Sequence, residues 1–431
     1  MRILIKNGHV INPATNTDEV LDILIEDDKV ARLGADLDAT DCQQVIDATD
    51  CYVAPGLIDL HVHMREPGFE QKEDIESGSK AAARGGYTTV VAMPNTKPVA
   101  DNPKVIRYVH DRAKEVGLTN VLQVGSVTKG MAGEELSDLE GMIAEGIPAI
   151  SEDGKSVMNS NLYREAMKIV AKAKVPVLAH CEDINLVNGG VINQGSKAEE
   201  LHVPGISNAV ENIITARDIM LAEETGARLH LCHCSTKEAV EMIADAKAKG
   251  IDVSGEVCPH HFTLTQDDIL ENDGNYKMNP PLRCKEDVEA LKRGLSDGVM
   301  EVISTDHAPH TTEEKSRDLS NAPFGIVGME TAAALTYSEL VMKGYLTPMQ
   351  MAEKMSYNPA KIIGIDKGSL KVGKVADITI FDPQQSYEIN VDEFASKSKN
   401  TPFAGRRVAG KVVYTIVGGR IVYEVPAKKK G

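Results

Sequence analysis

The sequence contains no tryptophan, and aromatic residues make up only 4% of its 431 residues. Aromatic side chains are the surfaces on which single-stranded nucleic acids stack their bases, so their scarcity argues against this class of partner. No run approaches the ~18 consecutive apolar residues of a membrane-spanning helix. The polar start at Met1–Gly8 is also unlike a secretory signal. We therefore expect a cytoplasmic protein with no membrane or nucleic-acid partner.

Basic residues are in the minority. Lysine and arginine number 47 against 64 aspartate and glutamate residues, which gives a formal net charge of −17. Such a chain would repel the phosphates of nucleic acids and of anionic membranes. The contents of hydrophobic residues (42%) and charged residues (26%) are typical of a globular protein. At ~150 residues per domain the length predicts two or three domains, and a small molecule is the expected partner.

The seven cysteines are odd in number and form no Cys-x-x-Cys pair. The sequence therefore predicts neither a disulfide framework nor a structural zinc knuckle. We expect a reduced, intracellular chain. Cys181, Cys232 and Cys234 lie beside histidines in the sequence. We interpret them as small buried strand residues rather than as metal ligands.

Both ends of the chain are rich in short strand-like runs separated by turn residues. Such runs lie at 3–5 and 23–25 near the start, and at 376–381 and 412–419 near the end. Neither end is long enough to form a good domain alone. Residues 1–52 and 366–431 are therefore predicted to assemble one small composite β-sandwich domain. The Lys428-Lys429-Lys430 run is predicted to be a solvated tail.

Residues 53–365 repeat the order strand, loop, helix. The apolar strand-like runs end near eight positions, namely His63, Asn95, Ser126, Asp153, His180, His233, His260 and Asp306. Helices are predicted at 102–118, 159–174, 236–250 and 284–298, with Ser235 and Glu238 as a capping box before the third. Eight such units predict an α/β fold of the (β/α)₈ TIM-barrel type. A doubly wound sheet is the alternative, but no Gly-x-Gly-x-x-Gly follows the first strand.

Histidines recur at the ends of the predicted strands, where a (β/α)₈ barrel builds its active site. His61 and His63 are two residues apart on a strand, so both side chains point to one face. His180 follows a second apolar run. Strand parity favours His233 over His230, which we interpret as a structural histidine.

Two acidic segments complete this set. Glu152 and Asp153 follow a strand and precede a glycine, a pattern that in isolation is typical of a turn. Asp306 ends an apolar strand, where a carboxylate can bind a metal and also move a proton. Four histidines together with Asp153 and Asp306 suit zinc or another divalent metal, with one position left for water.

A resemblance to a known family covers essentially the whole chain. Asp59–His63, read as Asp-x-His-x-His, resembles the amidohydrolase superfamily. Further segments are similar to the type I (bacterial) dihydroorotases within it. These are Arg65–Gly68, Met93–Thr96, Ser151–Gly154, Ala179–Glu182, Met278–Arg283 and Ser304–His310.

The resemblance implies a hydrolase that reversibly closes N-carbamoyl-L-aspartate into L-dihydroorotate in pyrimidine synthesis. It implies a binuclear site with one or two zinc ions per chain. The ligands would be, in chain order, His61, His63, Asp153, His180, His233 and Asp306.

Within that set the resemblance places His61 and His63 on a first zinc, and His180 and His233 on a second. Asp153 would bridge the two ions, where many relatives use a carboxylated lysine. The resemblance also suggests two assemblies, a homodimer and a complex with aspartate transcarbamoylase.

The resemblance also implies how substrate is held and converted. Asp306 would coordinate the first zinc and act as general base and acid. A positive pocket around Arg65 and His310 is expected inside the acidic molecule, under a mobile loop at 311–315. The substrate-binding residues would be His63, Arg65, Asn95, Asn279, His310, Phe324 and Gly325.

Two other functions are alternatives for this sequence. An allantoinase or hydantoinase typically carries the bridging lysine and lacks the arginine that selects a carboxylated ring, so Asp153 and Arg65 argue against it. A non-catalytic partner of aspartate transcarbamoylase should have lost some of the metal ligands, which are all present here. His260 and His261 are interpreted as a structural pair close to the site, with their role left open.

Overall fold

The computed structural model describes residues 1–425 of the chain, so the predicted tail at 428–430 lies outside the described residues. The strands, in chain order, are β1 (Arg2–Asn12), β2 (Thr17–Glu26), β3 (Lys29–Gly34), β4 (Gln44–Asp47), β5 (Tyr52–Pro55), β6 (Leu57–Val62), β7 (Tyr87–Ala92), β8 (Asn120–Gln123), β9 (Gly125–Ser126), β10 (Ile150–Ser151), β11 (Val177–Ala179), β12 (Ile192–Asn193), β13 (Gly205–Ile206), β14 (Leu229–Leu231), β15 (Val253–Val257), β16 (Val302–Ile303), β17 (Ile378–Glu388), β18 (Arg407–Val417) and β19 (Arg420–Glu424).

The α-helices are α1 (Ile75–Arg84), α2 (Pro103–Val116), α3 (Leu139–Ala144), α4 (Ser160–Ala173), α5 (Ile184–Val187), α6 (Ser196–Glu200), α7 (Ala209–Thr225), α8 (Lys237–Ala248), α9 (Pro259–Thr263), α10 (Lys285–Ser296), α11 (Thr312–Lys315), α12 (Ala332–Thr336), α13 (Pro348–Ala352) and α14 (Asn358–Ile363). Short π-helical turns follow α12 and α13. In the described part of the chain, no helix is both long and apolar enough to cross a membrane.

One mixed sheet joins the two ends of the chain. Its strand order is β19-β18-β17-β5-β1-β2-β3, with β4 paired to β1. The link between the termini is the antiparallel pairing of β17 with β5, in which Ile380 lies opposite Val53. Branched apolar side chains alternate inward along these strands and form a core of their own, in which Ile5, Val10 and Ile378 are fully buried.

The parallel strands lie between the two terminal segments. They form a three-stranded sheet, β6-β7-β8, and a six-stranded sheet, β16-β15-β14-β11-β10-β9. Only Val124 separates β8 from β9, and its N–H donates to the carbonyl of Ala92 on β7 at 3.0 Å. At the other end a parallel bridge joins Val62 on β6 to His307 after β16. Among the described residues the parallel strands show no reversal of order, which a doubly wound sheet requires.

The four helices predicted from periodicity are confirmed as α2, α4, α8 and α10, each shorter by one or two residues at either end. The predicted cap of α8 was wrong by one residue. The cap is Thr236, whose hydroxyl accepts from the N–H of Ala239 at 3.1 Å. Ser235 instead donates its hydroxyl to Glu211, because the turn before α8 points it into the protein.

Candidate metal centre

The histidines and aspartates singled out in the sequence lie at or just after the carboxyl ends of the parallel strands. His61 is on β6, and the others follow β6, β10, β11, β14 and β16 within three residues. All of these side chains are buried. The structure brings together His61, His63, Asp153, His180, His233 and Asp306.

Asp153 lies in the middle of this cluster. Its Oδ1 is 3.1 Å from His61 Nε2 and 3.5 Å from both His180 Nδ1 and His233 Nε2. Its Oδ2 is 3.4 Å from His63 Nε2. One carboxylate thus contacts the histidine pair at β6 and also the two histidines that follow β11 and β14.

Two further contacts complete the geometry. Asp306 Oδ1 is 3.1 Å from His63 Nε2 and 3.6 Å from His61 Nε2. His180 Nδ1 and His233 Nε2 face each other at 2.9 Å. Two imidazole lone pairs cannot approach so closely unless a proton or a cation lies between them.

The buried polar atoms test whether a divalent metal fits. Within residues 1–425, His61 Nε2 and Asp153 Oδ1 are buried and have no hydrogen-bond partner, although they are neighbours. Such atoms are costly in a protein interior unless something satisfies them. The ligand atoms of His61, His63 and Asp306, and those of His61, Asp153 and His233, each lie within 4.8 Å of one another. Imidazole and carboxylate donors in this arrangement fit a divalent metal of the zinc class.

Three of the histidines have a partner on the nitrogen that faces away from the centre. His61 Nδ1 lies 3.0 Å from Glu256 Oε1, and His180 Nε2 lies 3.1 Å from Glu182 Oε2. His63 Nδ1 lies 2.9 Å from the amide oxygen of Asn95. Such partners typically orient metal-binding histidines. Sequence reasoning assigned no such role to either glutamate.

Both aspartates are held as carboxylates. Burial alone would raise the pKa of Asp153, but the charge of His61 and the contacts with His180 and His233 at 3.5 Å outweigh it and lower that pKa well below its ordinary value. The pKa of Asp306 is likewise lowered, because His61 and His63 outweigh its burial. Each carboxylate is therefore available at neutral pH to bind a cation or accept a proton.

The chain turns sharply just after three of the parallel strands, β6, β14 and β16. Arg65, His233 and Asp306 have φ values of 63°, 34° and 49°. Positive φ is uncommon for residues other than glycine and costs about 1–3 kcal/mol, which the surrounding structure must offset. The side chains of all three residues line one cavity.

A cavity of about 190 Å³ opens beside the cluster. All of the predicted substrate-binding residues line it, namely His63, Arg65, Asn95, Asn279, His310, Phe324 and Gly325. Asn279 donates to Glu182 Oε1 at 2.8 Å, which places its amide beside His180. Asn95 donates to the backbone carbonyl of Asp153 at 3.4 Å.

The positive charge of this cavity comes from fewer of its lining residues than expected. Burial, followed by the nearby charge of Arg65, lowers the pKa of His310 to about 3, so its ring is neutral at physiological pH. Its Nδ1 accepts from the ammonium of Lys72 at 3.2 Å, and its Nε2 donates to the carbonyl of Phe324 at 2.8 Å. Arg65 supplies positive charge to the cavity wall. The expectation that His310 contributes to this charge was wrong, because burial and the charges of Arg65 and Lys72 keep its ring neutral.

The segment after His310 forms the short helix α11. Thr311 and Glu314 make a capping box, and Glu314 pairs with Lys72 at 2.8 Å. The buried ammonium of Lys315 donates to the carbonyls of Lys277, Pro323 and Gly325 at 3.1, 3.0 and 2.8 Å. The predicted cover is thus an ordered helix here, and its motion stays a prediction.

Other singled-out residues turn away from the centre. Glu152 accepts from the backbone N–H of Val127 at 3.1 Å and of Thr128 at 3.0 Å, so it holds the loop after β9. His261 donates to the carbonyl of Pro280 at 2.9 Å, and both it and His260 are buried beside Cys258. Cys181, Cys232 and Cys234 are buried free thiols, as predicted, but they follow β11 and β14 instead of lying within a strand.

Replacing Gly325 by alanine is expected to destabilise the protein. Gly325 has a φ of 124°, and an added Cβ would lie 2.6 Å from the Cβ of Ala308 and 3.4 Å from His310 Nε2. Gly344 is the matched control, because its φ is 79° and nothing lies within 4 Å of the position that an added methyl group would take. Gly325→Ala should lower the free energy of unfolding by about 1–3 kcal/mol more than Gly344→Ala, as measured by denaturant unfolding. Equal losses would show that the crowding at Gly325 is relieved without cost.

Comparison with known proteins agrees with this geometry. The sequence matches the amidohydrolase family over residues 52–422. It is 49% identical to a dihydroorotase of Pelotomaculum thermopropionicum, over 98% of this chain and 99% of that protein. It is also 49% identical to a dihydroorotase of Geobacter metallireducens, over 98% of this chain and 100% of that protein.

Solved structures with a similar fold carry other names. The L-hydantoinase (dihydropyrimidinase) from Arthrobacter aurescens superposes with a TM-score of 0.87 at 26% identity, covering 99% of this chain and 96% of that one. Dihydropyrimidinase from Brevibacillus agri gives a TM-score of 0.85 at 27% identity, covering 98% and 95%. The architecture is therefore shared with an L-hydantoinase and a dihydropyrimidinase, while the sequence is nearer to the dihydroorotases.

Proposed function

This chain belongs to the amidohydrolase family, and we propose from its relatives and its site that it catalyses the dihydroorotase reaction of pyrimidine synthesis. It is a hydrolase of a cyclic amide, opening dihydroorotate to N-carbamoyl-L-aspartate and closing it in reverse. The observation that carries the proposal is the convergence of four histidines and two aspartates beside a cavity lined by Arg65. A non-catalytic relative would have lost some of these metal ligands, whereas all six are present in this chain.

The metal centre would be binuclear zinc. His61 and His63 would bind the first ion, His180 and His233 the second, and Asp153 would lie between them. The support is the central position of Asp153, with oxygens 3.1–3.5 Å from a nitrogen of each histidine. When bound, such a centre lowers the pKa of a coordinated water and polarises the amide carbonyl.

Asp306 would hold and move the proton. Its carboxylate lies 3.1 Å from His63 Nε2 and lines the cavity, so it can accept a proton from the water that attacks the ring carbonyl and return it to the departing ring nitrogen. In the direction of ring closure the same carboxylate removes a proton from the attacking nitrogen.

Arg65 and Asn95 would hold the substrate carboxylate. The Nε of Arg65 donates to the carbonyl of Pro309 at 3.1 Å, which anchors the guanidinium at the cavity wall. Asn95 accepts from His63 through its oxygen, so its NH₂ group is the end that can donate to an anion. His310, Asn279 and the backbone at 324–325 would complete the pocket, whose lining they share.

The proposal extends to the domain architecture of the chain. Residues 53–365 would close into a (β/α)₈ barrel, which the bridge between Val62 and His307 supports. Residues 1–52 and 366–431 would form the β-sandwich domain, supported by the mixed sheet that both termini share. The type I subtype is supported by an aspartate at 153 rather than a bridging lysine. Cytoplasmic location, a homodimer and association with aspartate transcarbamoylase remain predictions.

Hydantoinase or dihydropyrimidinase activity is the second candidate, since the solved structures described above are an L-hydantoinase and a dihydropyrimidinase. The two functions differ in whether the ring carries a carboxylate. Purified protein should be assayed with dihydroorotate, N-carbamoyl-L-aspartate, hydantoin and dihydrouracil, and its metal content measured in the same sample. Metal-dependent turnover of the first two alone is expected. Turnover of the uncharged rings instead would replace the proposal with the second candidate.

Changing Arg65 to lysine is expected to raise KM about ten- to a hundredfold with a smaller change in kcat, because a lysine cannot form the paired hydrogen bonds of a guanidinium with a carboxylate. Steady-state kinetics in both directions would measure this. Arg164→Lys is the control, since that arginine pairs with Glu224 on the outer surface at 3.3 Å. A KM unchanged by Arg65→Lys would contradict the carboxylate-binding role.

A further inference from the structure

Glu256 has no part in the reaction described above, yet it contacts two of the proposed metal ligands. It lies on β15 and is fully buried. We propose that Glu256 is a positioning residue, which fixes the ring of His61 and the chain turn at His233 and so sets the metal affinity of the centre. The inference rests on the proposed metal centre.

Each carboxylate oxygen of Glu256 has a defined partner. Oε1 accepts from His61 Nδ1 at 3.0 Å and from the backbone N–H of His233 at 3.2 Å. Oε2 accepts from His230 Nε2 at 3.1 Å. The backbone carbonyl of Glu256 also accepts from the N–H of Cys234 at 2.9 Å. One residue therefore holds a ligand side chain and two successive peptide groups around a second ligand.

The contact with His61 decides which nitrogen faces the centre. A carboxylate can only accept hydrogen bonds, so His61 Nδ1 must carry the proton. In the neutral ring that binds a metal, Nε2 then presents its lone pair to the site, 3.1 Å from Asp153 Oδ1 and 3.6 Å from Asp306 Oδ1. Without the carboxylate, either tautomer and a rotated ring become accessible, and part of the population cannot bind a cation.

The contact with His233 acts on the backbone. His233 has a φ of 34°, a conformation that costs free energy for any residue with a side chain. The hydrogen bonds from the N–H groups of His233 and Cys234 to Glu256 offset that cost. They hold the turn that points the His233 ring toward Asp153.

Further hydrogen bonds fix the side chain of Glu256 on the side away from the metal centre. Because His230 Nε2 donates to the carboxylate, His230 Nδ1 accepts from the hydroxyl of Ser254 at 2.8 Å. His230 and Ser254 line a separate cavity of about 190 Å³ near the amino ends of β14 and β15. The chain of hydrogen bonds Ser254–His230–Glu256–His61 thus crosses the sheet from that cavity to the metal centre. His230 is fully buried, and its two ring nitrogens contact Ser254 and Glu256 rather than the ligand cluster.

A purely structural carboxylate would behave differently when neutralised. Glutamine at 256 keeps the shape of glutamate and an oxygen that can accept from His61, but it loses the charge and leaves His230 facing an NH₂ group. If Glu256 serves only folding, the variant should unfold more readily and bind metal with unchanged affinity once folded. If Glu256 positions the ligands, metal affinity should fall in the folded protein.

The test compares Glu256→Gln, Glu256→Leu and His230→Asn with Glu330→Gln in the full chain. Glu330 is the matched control, since its side chain is 2% exposed and it pairs with Arg84 at 3.0 Å, away from the centre. Zn²⁺ affinity is measured by chelator competition on metal-free protein, and the visible spectrum is recorded with Co²⁺. The kcat and KM at saturating Zn²⁺ and the thermal midpoint of the metal-free chain are measured on the same samples.

Glu256→Gln is expected to weaken Zn²⁺ binding about ten- to a hundredfold, a typical effect of losing an outer partner of a metal-binding histidine. The Co²⁺ spectrum should change and kcat should fall with KM nearly constant, whereas Glu330→Gln should retain wild-type affinity and spectrum. Wild-type Zn²⁺ affinity and Co²⁺ spectrum in folded Glu256→Gln would overturn the inference, even if Glu256→Leu fails to fold. If the wild-type chain binds neither metal, the proposed metal centre itself fails.

Discussion

Asp306→Asn is expected to lower kcat by about a hundred- to ten-thousandfold, the range lost when a positioned proton acceptor is removed. The asparagine keeps an oxygen near His63, so metal content and KM should change little. The neighbouring histidines lower the pKa of the Asp306 carboxyl below its ordinary value, so the wild-type group is ionised at neutral pH and can accept a proton. An amide cannot do so.

Turnover of Asp306→Asn should be followed in both directions, with metal content measured by elemental analysis. Asp287→Asn is a matched control, because Asp287 is a largely buried carboxylate that accepts from the N–H of Lys237 at 2.9 Å and lies outside the cluster. A kcat for Asp306→Asn within threefold of the control would remove Asp306 from the proton transfer. Loss of all metal would show instead that its main role is as a ligand.

The second large effect is expected at His61. Its Nε2 atom lies 3.1 Å from Asp153 Oδ1 and 3.6 Å from Asp306 Oδ1, so it contacts both aspartates of the cluster. His61→Ala should therefore remove at least one metal ion per chain and reduce kcat to background, about a thousandfold or more below wild type if the water is no longer activated.

Elemental analysis and kinetics at added Zn²⁺ would check the His61 prediction. His9→Ala is the control, since His9 pairs with Asp18 at 2.6 Å on the surface of the terminal sheet. Wild-type metal content in His61→Ala would exclude His61 from the ligand set. Recovery of kcat at high Zn²⁺ would show that the remaining ligands can still assemble a weaker active centre.

Architecture and substrate specificity are separable in this fold. The L-hydantoinase from Arthrobacter aurescens shares the architecture at a TM-score of 0.87, although only 26% of aligned residues are identical. A shared fold does not determine the substrate, because side chains at the strand ends can change while the scaffold stays. In this chain the side chains that would select a carboxylated ring are Arg65 and Asn95, both on the cavity wall.

The positions of the candidate ligands could be predicted from the sequence because the signal is local. His63, His180 and Asp306 each come just after a strand-like run. Parallel strands place their carboxyl ends along the same edge of the sheet, so these residues lie close together. The same local periodicity predicted helices α2, α4, α8 and α10 to within two residues. The cap at Thr236 was missed because two adjacent hydroxyl residues compete for it, and a buried glutamate on another helix decides between them.

The protonation of each ring could not be predicted in this way. Glu256 lies 195 residues from His61 along the chain, and Lys72 lies 238 residues from His310. Glu256 lies inside the short strand β15, and nothing in the neighbouring sequence marks it as a partner of a histidine. Local pattern decided which residue types end the strands. Packing of distant strands decided which nitrogen of each histidine faces the centre, because only a partner on the opposite nitrogen can fix a tautomer.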